Sequence, residues 1–346
     1  MSLWDMFKSW FAENREQMLS VRIPDPQAVV ELKAEETYFG LWLTHSFLKR
    51  KSVWLNEYYP AAHVSVRLDV AGETRTLSRL ARPAAGMVGP GVWSNFMVTG
   101  LLPYNGGTVE LEAGLTALKS SNLLGAAVGV VDDFSSLVVP PVSEALAVAS
   151  KVANGVQALL DAGEGDVFLG THQAYVGPGG GGENELRPGY LAVIGATEKE
   201  LKPADLLVKD GTLRVGNEGQ SRPLEGFDYL LFRIEVRHER DDWRFPRFEQ
   251  LIRRAKESAG EQSALERYRD QVLAEIINCP DLTRPDRRRV SIAVRDEIEE
   301  AISLGAGAVA EAPRSLAEIV ARHAVSLDDP ITATDFSLRD LIEHRV

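Results

Sequence analysis

The spacing of apolar residues changes period along the chain, and each change marks a candidate element. Between residues 1 and 20, Leu3, Trp4, Phe7, Trp10, Phe11 and Met18 recur at helical spacing. Asp5, Lys8, Glu13 and Arg15 fall elsewhere, so the stretch predicts an amphipathic helix. Such an arm either packs on the protein's own core or offers Trp4, Phe7, Trp10 and Phe11 to a partner protein. A membrane-surface role fits poorly, because its polar face is not rich in Lys and Arg.

From residue 35 to 118 the period falls to two. Phe39, Leu41, Leu43 and Phe47 alternate with Gly40, Trp42, Thr44 and Ser46. Val64, Val66, Leu68 and Val70 alternate with His63, Ser65, Arg67 and Asp69, and Val109, Leu111, Ala113 and Leu115 with Glu110, Glu112 and Thr116. These are strands with one wet face. Turn residues separate them at 71–73, at Gly89-Pro90-Gly91, and at Pro103-Tyr104-Asn105-Gly106-Gly107. The strand–helix–strand rhythm of a doubly wound fold is missing here.

Residues 120–161 are rich in small and apolar side chains and broken by Pro140-Pro141, which predicts a helical pair. Strands return at Asp166–Val176 and Tyr190–Ala196. Neither face of Asp166–Val176 is cleanly polar, which predicts a central strand. Lys209-Asp210-Gly211-Thr212 is a hairpin turn, and Phe227–Glu239 is a further strand. Beyond Pro246 the sequence is helical: FPRFEQLIRRAKES, SALERYRDQVLAEIINC, RPDRRRVSIAVRDEIEEAISLG, then shorter helices from Ser315 and Asp335. Pro285 suits a first turn and Gly305 a stop.

The pattern as a whole predicts an α+β fold. It combines an antiparallel β-sandwich-like sheet region, a central helical hairpin, further antiparallel strands and a helical C-terminal third. The expected divisions are an arm and linker at 1–34, a mainly β core at 35–245 with the helical pair 120–161 inserted, and a helical region at 246–346.

Composition narrows the function. A net charge of −12 argues against a nucleic-acid partner, which needs a clustered basic surface. The run Arg287-Arg288-Arg289 has acidic neighbours and reads as an ordinary helix face. The single cysteine, Cys279, excludes an intrachain disulfide and a cysteine-based zinc cage, and is compatible with a cytoplasmic location. MSLWDMFKSWF makes a poor cleavable leader. The apolar stretch Asn122–Val131 falls short of the ~20 residues a spanning helix needs, which disfavours a membrane partner.

The catalytic inventory is thin. The histidines show neither HExxH spacing nor a Cys/His cluster, and there is no G-x-S-x-G elbow. The Asp132-Asp133 pair reads as a solvated turn or helix face. YVGPGGGGENELRPGY, residues 175–190, raises the question of a phosphate loop. Gly177, Gly179 and Gly182 match G-x-G-x-x-G after a strand, but a further strand follows instead of a helix. The Walker lysine position holds Glu183, and Glu183 with Glu185 would repel a phosphate. The stretch reads as a mobile connection that could act as a lid. His172, Arg187 and Tyr190 flank it and are the candidate ligand-binding residues.

The reading that follows is a non-catalytic interaction or scaffold subunit of a cytoplasmic multi-protein assembly. Its partners would be other proteins, products of neighbouring genes; no cofactor or metal is expected, and a homo-oligomer is compatible with it. The alternatives are a hydrolase or ligand sensor with a site beside the glycine loop, and a membrane-active protein using the 120–161 hairpin.

Overall fold

The computed structural model describes residues 3–49, 58–70, 73–81, 95–119, 165–179, 184–217 and 219–304. The expected helical pair at 120–161, the Gly89-Pro90-Gly91 turn, the helices from Ser315 and Asp335, and Gly305 lie outside the described residues, as do Ala71 and Gly72. The class is α+β: antiparallel sheets with a helical C-terminal region. The chain divides into two compact units, residues 1–34 with 39–236, and residues 35–38 with 237–346.

The first unit is built on two packed sheets. One has the strand order β1 (Leu19–Ile23), β9 (Gly189–Ile194), β13 (Tyr229–Arg237), β2 (Tyr38–Phe47), β5 (Phe96–Met97), with β6 (Leu102–Pro103) also paired to β2. The other runs β4 (Glu73–Ala81), β3 (Tyr58–Val70), β7 (Thr108–Lys119), β8 (Gly165–Val176). Period-two patterning decides their faces. Val64, Val66, Val109, Leu111, Ala113, Leu115 and Leu169 meet Phe39, Leu41, Leu43, Leu191, Val193, Leu230 and Phe232 in one buried cluster. A smaller sheet of β10 (Leu206–Lys209), β11 (Thr212–Val215) and β12 (Arg222–Pro223) covers the opposite face of β1, β9 and β13. Leu206, Leu213 and Leu224 pack there on Val21, Ala192, Ile194 and Leu231. Asp210 and Gly211 join β10 to β11 with φ of 51° and 70°, the left-handed pair that a two-residue hairpin requires.

Among the described strands β8 lies at the end of its sheet, where a central position is expected from its sequence. The reason is that both its faces are covered. Leu169 and Tyr175 enter the sandwich core, and helix α1 (Leu3–Asn14) lies over the other face. A strand covered on both sides shows no polar period, whichever place it takes in the ladder.

The second unit contains α2 (Pro246–Glu257), α3 (Gln262–Ile277) and α4 (Arg284–Leu304) around Phe248, Ile252, Leu265, Val272, Ile276, Val290, Val294 and Ile298. Trp243 is buried in the same cluster. Beside this core sits a buried set of charges. Tyr38 Oη donates to Asp286 Oδ2 at 2.6 Å and accepts from the Thr283 N–H at 3.0 Å. The same Asp286 oxygen accepts the Arg240 N–H at 3.2 Å, and Oδ1 accepts Arg289 Nε at 2.5 Å. Arg289 also donates to the Arg240 carbonyl at 2.6 Å. Arg240 in turn forks onto Asp242 with two bonds of 2.8 Å and reaches the Asp281 carbonyl at 2.9 Å. Burial first, then the Asp286 charge, pushes the Tyr38 hydroxyl well up, so it stays a donor. Asp286 occupies the first turn of α4, where the helix dipole favours a carboxylate.

Arg289 is 3% exposed, so the basic run is not a uniform solvated face. Asp286→Ala would leave the Arg289 guanidinium, the Tyr38 hydroxyl and the Arg240 backbone N–H without their shared carboxylate. It should cost on the order of 3–5 kcal/mol, and Tyr38→Phe about 1–3 kcal/mol. Hydrogen exchange of the α4 amides in the full chain measures this. Unchanged protection in Asp286→Ala would refute the assigned role.

Candidate functional site

Two polar constellations stand out in the first unit. The first follows from strand register. Ser65, Glu112 and His172 are opposite one another across β3, β7 and β8, and His63, Gly114 and Gly170 form the next row. All lie on the face away from the sandwich core. His63, Ser65 and Glu112 are nonetheless buried, at 1%, 3% and 0% exposure. Over this face lies α1. Its Trp10 ring sits on Gly170, where a Cβ would come within 2.8 Å of the indole. The glycine is therefore what lets the ring approach the sheet.

Ser65 Oγ and His63 Nε2 are 3.3 Å apart. Burial lowers the His63 pKa to about 3, so the imidazole is neutral at pH 7. The His172 pKa is also lowered, by burial first and then by Lys8 and Arg67, while Glu110 opposes the shift. A hydroxyl bonded to a neutral imidazole has the parts of a nucleophile and its base. At 1% and 3% exposure, however, the pair has no path to a substrate.

The second constellation is the base of the glycine loop. After β8 the Val176 N–H donates to the Asn184 carbonyl, and the Leu186 N–H returns to the Val176 carbonyl, both at 2.8 Å. Leu186 is buried, so the base is fastened where the sequence predicts a mobile connection. Gly177 packs on Tyr104, whose hydroxyl donates to the Gly107 carbonyl at 3.2 Å. Gly179 has φ of +86°, and its N–H donates to Glu185 Oε1 at 3.1 Å. Arg187 donates to Glu185 Oε2 at 2.5 Å. The Arg187 bond, then the Gly179 N–H, holds the Glu185 carboxyl below its usual range. Glu185 thus already serves a loop amide that a phosphate would have used.

Beside it, β1 places Arg22 over the Tyr175 ring, 4.9 Å from its centre. Tyr175 Oη bonds Gln173, which donates to Ser20 Oγ at 2.7 Å. Desolvation lowers the Arg22 pKa. Tyr175 and Glu185 oppose that shift, and Arg187 adds to it.

The three expected ligand-binding residues occupy different settings. His172 lies in the four-stranded sheet near Lys8, Glu110 and Arg67. Tyr190 lies on β9 of the other sheet, near Asp25 and Arg233. Arg187 is exposed and paired to Glu185. Of the arm residues, Trp10 and Phe11 are half-buried, while the side chains of Trp4 and Phe7 lie outside the described residues. Sequence reading missed His63, Ser65 and Glu112 as a group, although alternation had already placed each on the wet face. Arg22 carried no local signal. Among the described residues no group of three His, Cys, Asp or Glu side chains could hold a metal ion, and no helix is long and apolar enough to cross a membrane. No protein family, curated protein or solved structure matches this chain.

Two outcomes follow from these geometries. The folded pKa of His63 lies below its unfolded value of ~6.5, so between the two the unfolded chain holds the extra proton. The stability due to a neutral His63 is complete above pH ~6.5. It is lost as pH falls towards 3, by about 1.4 kcal/mol per pH unit. Urea denaturation at pH 7 and pH 5 should show a drop that His63→Gln reduces; equal slopes in both proteins would contradict the assignment. At the loop base, a Cβ on Gly177 would clash with Tyr104 Oη. Gly177→Ala should cost about 1–3 kcal/mol, and Tyr104→Phe should recover part of it in a double-mutant cycle. Purely additive losses would exclude that contact as the cause.

Proposed function

We propose that this chain is a non-catalytic interaction subunit of a cytoplasmic multi-protein assembly, and that α1 belongs to the surface by which it binds other proteins. The observation that supports this reading is the incomplete cover of the arm's aromatic side chains. Trp10 rests on Gly170, yet both it and Phe11 remain half-buried. The sheet face beneath carries His63, Ser65, Glu112 and His172 instead of an apolar bed, so α1 does not sink into a hydrophobic groove. A partner that covers Trp10 and Phe11 would bury aromatic surface of the kind that dominates binding energy. The closure of the Ser65–His63 pair supports the non-catalytic part.

Phe11→Ala in the tagged full chain tests this. Partner recovery from source cells should fall at least about tenfold, the effect of a modest hot spot, with the urea midpoint unchanged. Equal recovery of every partner would remove α1 from the binding surface.

A further inference from the structure

The second unit carries two cations that its own carboxylates leave alone. Arg240, Arg244, Arg247, Arg289 and Arg295 each pair with an acidic side chain. Arg254 on α2 and Arg267 on α3 are exposed, and neither side chain makes an ion pair or a hydrogen bond among the described residues. Both address one ring instead. Arg254 Cζ lies 5.9 Å from the centre of the Tyr268 ring, and Arg267 Cζ lies 4.9 Å from it. The two guanidiniums are thus no farther apart than the sum of those distances. Tyr268 packs against the buried core of the unit, which anchors the ring. The acidic residues next along the two helices are engaged elsewhere. Glu257 pairs with Arg253, Glu266 accepts from Gln262, and Asp270 pairs with Arg269.

We infer that this α2–α3 face is a docking surface for an acidic segment of a partner protein. Arg254 and Arg267 are its carboxylate receptors, and Tyr268 is their shared platform. An aromatic face steadies a guanidinium without consuming its N–H donors, which stay available for a two-pronged carboxylate. Alternate residues of an extended chain are ~7 Å apart, a span the two arginines can serve together. Arg and Tyr are also residue types over-represented where binding energy concentrates. The partner must bring negative charge, because the uncompensated groups here are cations. This surface shares with the function proposed above only the idea of protein partners, and it needs nothing from α1.

The test is fluorescence anisotropy of a short labelled glutamate-rich peptide titrated with the full chain at low ionic strength. Saturable binding is expected, weakening as salt is added. Arg254→Gln combined with Arg267→Gln should raise Kd about tenfold or more, through the loss of two charge-assisted contacts. Lys199→Gln combined with Lys202→Gln removes the same charge from exposed positions of the first unit. That variant should keep Kd within about twofold of wild type. No saturable binding in wild type, undiminished affinity in the arginine variant, or an equal loss in the lysine variant overturns the site. A second readout uses the unaltered chain: the peptide should shift the Arg254 and Arg267 Nε–H resonances. Unmoved resonances at saturation also overturn it. Tighter binding of single-stranded RNA than of the peptide, lost in the same arginine variant, would give the face to nucleic acid and overturn the acidic-protein assignment. Failure here would leave the Phe11 result untouched, since that is read from partners recovered through α1.

Discussion

The first unit depends on one constraint: the four-stranded sheet is covered on both faces although its sequence supplies apolar residues for only one. Side-chain alternation fixes this. With Val64, Leu111 and Leu169 committed to the sandwich, His63, Ser65, Glu112 and His172 must face the other way. Helix α1 lies there, and its approach is possible because Gly170 gives the Trp10 ring room. The polar row is therefore buried, and that burial explains a neutral His63 beside Ser65. A one-residue slip of β8 would exchange the two faces and put His172 into the apolar core.

The second unit resolves the opposite difficulty. Its helices supply an ordinary apolar core, but Asp286, Arg289 and Arg240 are buried with it. Buried charge is tolerable only when each lone pair and each N–H finds a partner. Here a single carboxylate collects a tyrosine hydroxyl, a backbone N–H and a guanidinium, and the helix dipole adds a favourable field. A well-packed apolar set of like volume could fill the same space without the desolvation cost.

Much of the architecture was legible because alternation and turn chemistry are local. β3, β7 and β13 follow from period two, the β10–β11 hairpin from Asp210-Gly211, and α2 to α4 from helical spacing with Pro246 and Pro285 at their starts. The place of β8 at the end of the described strands was not legible, because residues far away in the chain cover its second face. Nor was the inward turn of Arg289, whose partners Arg240 and Glu239 lie about fifty positions earlier. The glycine loop shows the limit most clearly. Glu185, read from the sequence as a charge that repels anions, is the carboxylate that the Gly179 N–H and Arg187 hold.

The placement of Glu35–Tyr38 has a consequence for how the chain comes to be folded. These residues belong to the second unit, while those on either side belong to the first. On the ribosome, Tyr38 emerges long before Asp286, its partner 248 positions later. The Glu35 carbonyl likewise waits for the Arg284 N–H. The hydrogen bonds of this early segment are completed only after residues 283–286 have been made. Joining Tyr38 to Asp286 closes a loop across 248 positions, an entropic cost that local helix formation does not carry.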